Sequence, residues 1–146
     1  MTDKPTVYLL DDEPSMLRAL SRVLRVRGYD VMTFEKATDF FEYERAPGLA
    51  CLVLDLAMPG LDGLEVQQRL VETHDRIPIV FLTGHGDIPT SVRAIKAGAD
   101  DFLSKPVKGD DLVAAVNSAL DRAKIQLAED LEIASLRRRL EQLTPR

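Results

Sequence analysis

Five short apolar runs alternating with helix-like stretches predict a doubly wound α/β protein built on a five-stranded parallel sheet. Residues 49–54 (LACLVL) and 77–82 (IPIVFL) are apolar without alternation, as strands buried on both faces are. The connections are short, and no repeat or low-complexity tract interrupts them. In such a sheet every strand ends at one edge, where open α/β folds bind ligands. Asp11, Asp12, Asp55, Thr83 and Lys105 stand at four of these strand ends, so the fold is expected to gather them there.

Residues 6–10 (TVYLL) form the first strand. Pro14 suits the first turn of a helix, which Asp12 or Glu13 would cap and whose Leu17, Leu20 and Leu24 share a face out to Gly28. Residues 29–34 read as a second strand and 36–44 as a short helix closed by Pro47 and Gly48. The third strand meets Asp55, and Met58-Pro59-Gly60 turns the chain, since proline cannot donate to a ladder and glycine accepts the dihedrals of a sharp turn. A third helix opens at Leu61-Asp62-Gly63 and runs to Thr73 with Leu64, Val66, Leu70 and Val71 at helical spacing. The fourth strand, 77–82, leads into the polar loop Thr83-Gly84-His85-Gly86-Asp87 and a helix over about 88–97, ended by Gly98. Residues 101–104 are a short fifth strand, and from Lys108 a last helix carries Leu112, Ala115, Val116, Ala119, Leu120 and Ala123 on one face.

A chain of 146 residues, 45% apolar, builds one good core with at most an appendage. Its 24 acidic and 19 basic residues leave a net charge of −5, which argues against nucleic acid or an anionic membrane as the main partner of this surface. The one cysteine, Cys51, lies inside an apolar run and reads as a buried structural thiol in a reducing compartment. No apolar run approaches the ~20 residues of a membrane span. The opening MTDKPTVYLL is too short in apolar length for a secretion signal, so the expected location is the cytoplasm.

Carboxylates crowded together stay ionised at neutral pH only when a cation joins them. Mg²⁺ suits the oxygen ligands, whereas zinc would want histidine or cysteine. A carboxylate can also act as a nucleophile and form an aspartyl phosphate, and Asp55, alone on the central strand, is the best placed. The Lys105 ammonium, the Thr83 hydroxyl and the metal would then balance charge on a phosphoryl group.

The motifs LLDDEP, LDLAMPGLDG, FLTGHGD and GADDFLSKP, in this order and spacing, resemble those of bacterial response-regulator receiver domains, most closely the FixJ-like (LuxR/NarL-output) subfamily. The resemblance covers about residues 5–123 and implies a flavodoxin-like (βα)5 receiver at 1–123, followed by a helical extension at 124–146. It implies Asp55 as phosphoacceptor, Asp12 as a direct Mg²⁺ ligand, Asp11 acting mainly through water, and the Ala57 backbone carbonyl completing the site. Thr83 and Lys105 would contact the phosphoryl group, Phe102 would be the aromatic switch, and the Lys105-Pro106 bond would be cis. A sensor histidine kinase would be the upstream partner, phosphorylation would promote a homodimer through the fourth helix and fifth strand, and no metabolic enzyme activity is expected beyond self-phosphorylation and slow self-dephosphorylation.

Other readings fit less well. Haloacid dehalogenase-type enzymes need a second acid two residues after the nucleophile, where this chain has Ala57. A dinucleotide site needs a glycine-rich turn after the first strand, where this chain has DDEP. A receiver fold that binds partners without phosphorylation would leave the full residue set unused. His85 reads as a solvent-facing loop residue, neither metal ligand nor phosphohistidine. Arg137-Arg138-Arg139 reads as the dipole-complementing end of an acidic helix more than as a nucleic-acid patch. Ala57 has no side-chain group to orient or block an attacking water by hydrogen bonding, which bears on the lifetime of a phosphate.

No helix breaker appears after Ala123 until Pro145. Leu127, Leu131 and Ala134, then Ile133, Leu136, Leu140 and Leu143, continue the apolar spacing with a change of phase near 133, and such a stripe wants a partner. The ending LTPR resembles the opening of a LuxR-type helix-turn-helix domain. DNA is therefore expected as a partner only through a C-terminal domain absent from this chain, and a stand-alone regulator or phosphorelay intermediate is the alternative.

Overall fold

The computed structural model describes residues 4–84, 92, 93, 95, 96 and 98–143. The elements run β1 (Thr6–Leu10), α1 (Pro14–Val26), β2 (Asp30–Phe34), α2 (Ala37–Glu42), β3 (Ala50–Asp55), α3 (Gly63–Glu72), β4 (Ile79–Thr83), β5 (Asp101–Ser104) and α4 (Gly109–Leu143). Val92, Arg93, Ile95 and Lys96 are also helical, within the helix expected over 88–97. The rest of that helix except Gly98, the loop residues His85, Gly86 and Asp87, and the ending beyond Leu143 lie outside the described residues.

All strand pairs are parallel, in the order β2-β1-β3-β4-β5, which is the five-stranded doubly wound sheet that the sequence predicts. Successive strand residues point to opposite faces. Val7, Leu9, Cys51, Val53, Val80 and Leu82 therefore join Leu17, Leu20 and Leu24 of α1 and Leu112, Val116 and Ala119 of α4 in one core. Tyr8, Leu10, Leu52, Leu54, Ile79 and Phe81 meet Phe40, Val66 and Leu70 in the other. Continuous apolar runs were needed because both faces are covered.

Several boundaries differ from expectation for local reasons. The fourth strand begins at Ile79, after Pro78, whose carbonyl accepts the Leu52 N–H at 2.9 Å. Asp55 and Thr83 are the last residues of their strands, paired with Leu82 and Ser104, so each is held in a ladder instead of following it. Glu13 occupies the cap position of α1 but makes no capping side-chain bond. Val71 faces solvent, and Gln67 takes its place on the buried side of α3.

The start of α3 fixes the end of β3. Asp62 caps the helix by accepting from Glu65 N–H at 2.9 Å, and the Glu65 carboxylate accepts from Asp62 N–H at 3.1 Å. Gly63 sits so close to the strand that a Cβ would lie 2.6 Å from the Asp55 carbonyl oxygen and 2.8 Å from the Leu56 Cα. Those are backbone atoms and cannot swing aside. Gly63→Ala is expected to cost about 1–3 kcal/mol, the range for overpacking, seen as a lower urea midpoint with an unchanged slope.

Candidate functional site at the carboxyl edge of the sheet

The strand ends deliver Asp11, Asp12 and Asp55 to one place, with one carboxylate oxygen from each within 4.8 Å of the others. Asp11 and Asp55 are 1% and 3% exposed, while Asp12 lies nearer solvent. Asp11 is anchored by one oxygen only: its Oδ1 accepts the Glu13 N–H at 2.9 Å. Its Oδ2 is buried without a hydrogen-bond partner. Asp55 Oδ1 accepts the Ala57 N–H at 3.2 Å, which fixes the carboxylate against the turn after β3.

Lys105 Nζ reaches into this cluster from the end of β5. It lies 3.2 Å from Asp11 Oδ2, 3.3 Å from Glu13 Oε1 and 3.4 Å from Asp55 Oδ2, with the side chain 18% exposed. The Asp11 approach is a charge contact, since its alignment does not make a hydrogen bond. The Lys105 N–H donates to the Thr83 carbonyl at 2.8 Å, which ties the lysine backbone to the end of β4. The Lys105–Pro106 bond is cis.

These charges move the ionisation of their neighbours. Burial first, then the Asp11 charge, pushes Asp55 up to about 6 against the opposing pull of Lys105 and the Ala57 N–H. Burial by itself would lower Lys105, but Asp55 and Asp11 outweigh it and raise its pKa. One ammonium therefore serves several carboxylates and leaves Asp55 short of full compensation. Three clustered carboxylates, one with a buried oxygen that has a charge contact but no hydrogen bond, fit a hard divalent cation that takes carboxylate and water ligands.

Thr83 is 3% exposed and its hydroxyl donates to the Gly84 carbonyl at 3.2 Å, so it stands at the edge without bonding Asp55. Phe102, on β5, is 38% exposed, with its ring outside both cores. The expected residues Asp11, Asp12, Asp55 and Lys105 are thus brought together, Ala57 joins through its N–H, and Thr83 and Phe102 flank them. Sequence reasoning missed Glu13, whose carboxylate accepts a hydrogen bond from the Lys105 ammonium at 3.3 Å. The acidic run DDE was visible, but a helix-cap role for Glu13 looked equally good before the lysine could be placed.

A parallel α/β sheet with clustered acids and a lysine at its carboxyl edge defines a receiver-type signalling domain. Comparison with known proteins agrees: the family model described as the response regulator receiver domain matches residues 7–117. The chain is 42% identical over 147 residues to the response regulator protein TmoT of Ectopseudomonas mendocina, covering 100% of this chain and 67% of that protein. It is 38% identical over 148 residues to the transcriptional regulatory protein FixJ of Bradyrhizobium diazoefficiens, covering 100% and 71%. The structure of the response regulator StyR superposes with a TM-score of 0.90 at 42% identity, over 97% of this chain and 71% of that one. The chain belongs to the response regulator receiver family of two-component signalling. It spans about two thirds of the length of TmoT and of the response regulator protein TodT of Pseudomonas putida. Among the described residues no helix is long and apolar enough to cross a membrane.

The raised Asp55 pKa sets a pH dependence. The folded chain holds this proton more tightly than the unfolded chain, so ionisation of Asp55 removes stability as pH rises from about 4 to about 6, and the loss is complete above that window. In metal-free buffer Asp55→Asn is expected to match wild type near pH 4 and to exceed it above pH 6 by about 1–3 kcal/mol. Urea unfolding across that pH range measures the difference.

Proposed function

We propose that Asp55 accepts a phosphoryl group from the phosphohistidine of a sensor kinase, and that the phosphorylated chain switches conformation and dimerises to control transcription. The observation that carries this is a buried, incompletely compensated Asp55 carboxylate beside Asp11 and Lys105. An Asp55 oxygen attacks phosphorus, an O–P bond forms, the P–N bond to the kinase imidazole breaks, and the imidazole leaves with a proton. Asp11, Asp12, Asp55 and the Ala57 carbonyl would hold Mg²⁺, which supplies positive charge to the phosphoryl oxygens when bound.

The chain's own groups do the rest. Lys105 exchanges a carboxylate contact for a phosphoryl oxygen, and Thr83 turns its hydroxyl from the Gly84 carbonyl to another. Withdrawal of the Thr83 side chain vacates space beside β4, and Phe102, which has no hydroxyl to keep in water, rotates inward. This is a population shift between two packings, driven only by differential contact with phosphate. Its output is a dimer through β5 and the helix containing Val92 and Ile95. The chemistry is confined to the chain's own phosphorylation and slow hydrolysis. Residues 1–123 form the receiver and 124–146 a helical extension, in a cytoplasmic regulator that contacts DNA only through a domain beyond this chain.

Intact mass after incubation with acetyl phosphate and Mg²⁺ tests the assignment. Wild type is expected to gain one phosphoryl group and Asp55→Asn none. Asp55→Asn labelled at the wild-type rate would overturn it. Lys105→Ala is expected to keep the fold, because the ammonium lies at the edge and not in either core.

A further inference from the structure

Past Ala123, α4 carries apolar side chains that the sheet and its helices do not cover. Ile133, Leu136, Leu140 and Leu143 follow one another at the alternating three- and four-residue spacing of heptad a and d positions, and they are 48–77% exposed. At about 100° per residue, this row points about 110° around the helix from the face that buries Leu112, Val116, Ala119 and Ala123. The stripe is therefore turned away from the face that packs on the globular body, and it is exposed. A second helix can approach along it.

Charge gives the approach a direction. With Ile133 and Leu140 at a positions and Leu136 and Leu143 at d positions, Glu132 occupies a g position and Arg137 the following e position. In a parallel, in-register pair each g residue faces the e residue of the next heptad across the seam. Glu132 then meets Arg137 of a second copy, twice by symmetry. Closer to the body the pattern stops. Glu129 falls on the seam at the preceding d position, and Arg76, 3.8 Å from it, is also 3.3 Å from Asp130.

We propose that residues 132–143 pair with the same segment of a second copy as a short parallel coil, oriented by the Glu132–Arg137 pairs. This extends the dimerisation reading and rests on it. One and a half heptads cannot hold two chains together alone. Once the globular bodies meet, the two helices face each other at high effective concentration, and the coil adds to the affinity.

Cysteine crosslinking of the full chain, activated with beryllofluoride and Mg²⁺, tests the geometry. Cys51 is buried and its thiol is pushed up to about 12, so it contributes little background. Leu136→Cys is expected to give a disulfide-linked dimer on mild oxidation, and Ser135→Cys, outside the seam, is not. Arg137→Glu is expected to weaken sedimentation dimerisation by about 3- to 10-fold at low salt, with recovery in Glu132→Arg/Arg137→Glu. A chain that still dimerises on activation, but with equal crosslinking at 135 and 136 and no charge-swap recovery, overturns the coil and leaves dimerisation standing. A chain that stays monomeric with Asp55 demonstrably occupied overturns both.

Discussion

Crowded negative charge at the carboxyl edge is the constraint on which the site depends. Asp55 cannot move away from Asp11: it is paired with Leu82 in the sheet, Leu56 N–H donates to the Leu82 carbonyl at 2.9 Å, and Gly63 packs on its backbone. Asp11 is likewise held, by the Glu13 N–H on one oxygen. With both acids fixed, repulsion has to be met by what is brought to them. Lys105 supplies a single positive charge, shared with Glu13, and leaves one oxygen of Asp11 without a hydrogen bond. A rigid scaffold thus keeps an unbalanced site, at which an added cation would find contacts that the chain itself leaves unmade.

The same backbone that holds the charges connects them to the surface. Thr83 is the last residue of β4, pairs with Ser104, and accepts the Lys105 N–H through its carbonyl. Two residues earlier, Phe81 is fully buried and pairs with Phe102, whose ring is outside. The end of β4 is thus bonded directly to β5, on which Phe102 stands at the surface. Val92 and Ile95 are exposed too.

The sheet was legible because its strands are covered on both faces, which writes uninterrupted apolar runs such as 51–54 into the chain. The site was legible because parallel strands share a carboxyl edge, so residues at strand ends converge whatever their distance in sequence. Less visible was whatever depended on a single close approach. Glycine at 63 reads in sequence only as a helix opening, and nothing local announces that the Asp55 carbonyl lies beneath it. Nor does a leucine-rich face tell Val71 from Gln67: amphipathic spacing marks a stripe, and the neighbouring strand decides which flank of it is buried. Strand ends shifted by one residue at Asp55 and Thr83 because ladder bonding continues through polar residues that composition treats as loop.

The long helix shows how one element can serve two environments. Its first turns bury Leu112, Val116, Ala119 and Ala123 against the sheet, and its later turns bury none among the described residues. An isolated helical segment of some twenty residues gains little from propensity, and its order comes mostly from packing an apolar face. Arg76 holds the transition between the two regions through Glu129 and Asp130, but these pairs are exposed and contribute only about 0–1 kcal/mol each. The stripe Ile133, Leu136, Leu140 and Leu143 stays exposed, so this part of the helix draws little order from packing on the sheet. Because the stripe is short, a helix pairing along it would be weak unless another contact first brought the two helices together.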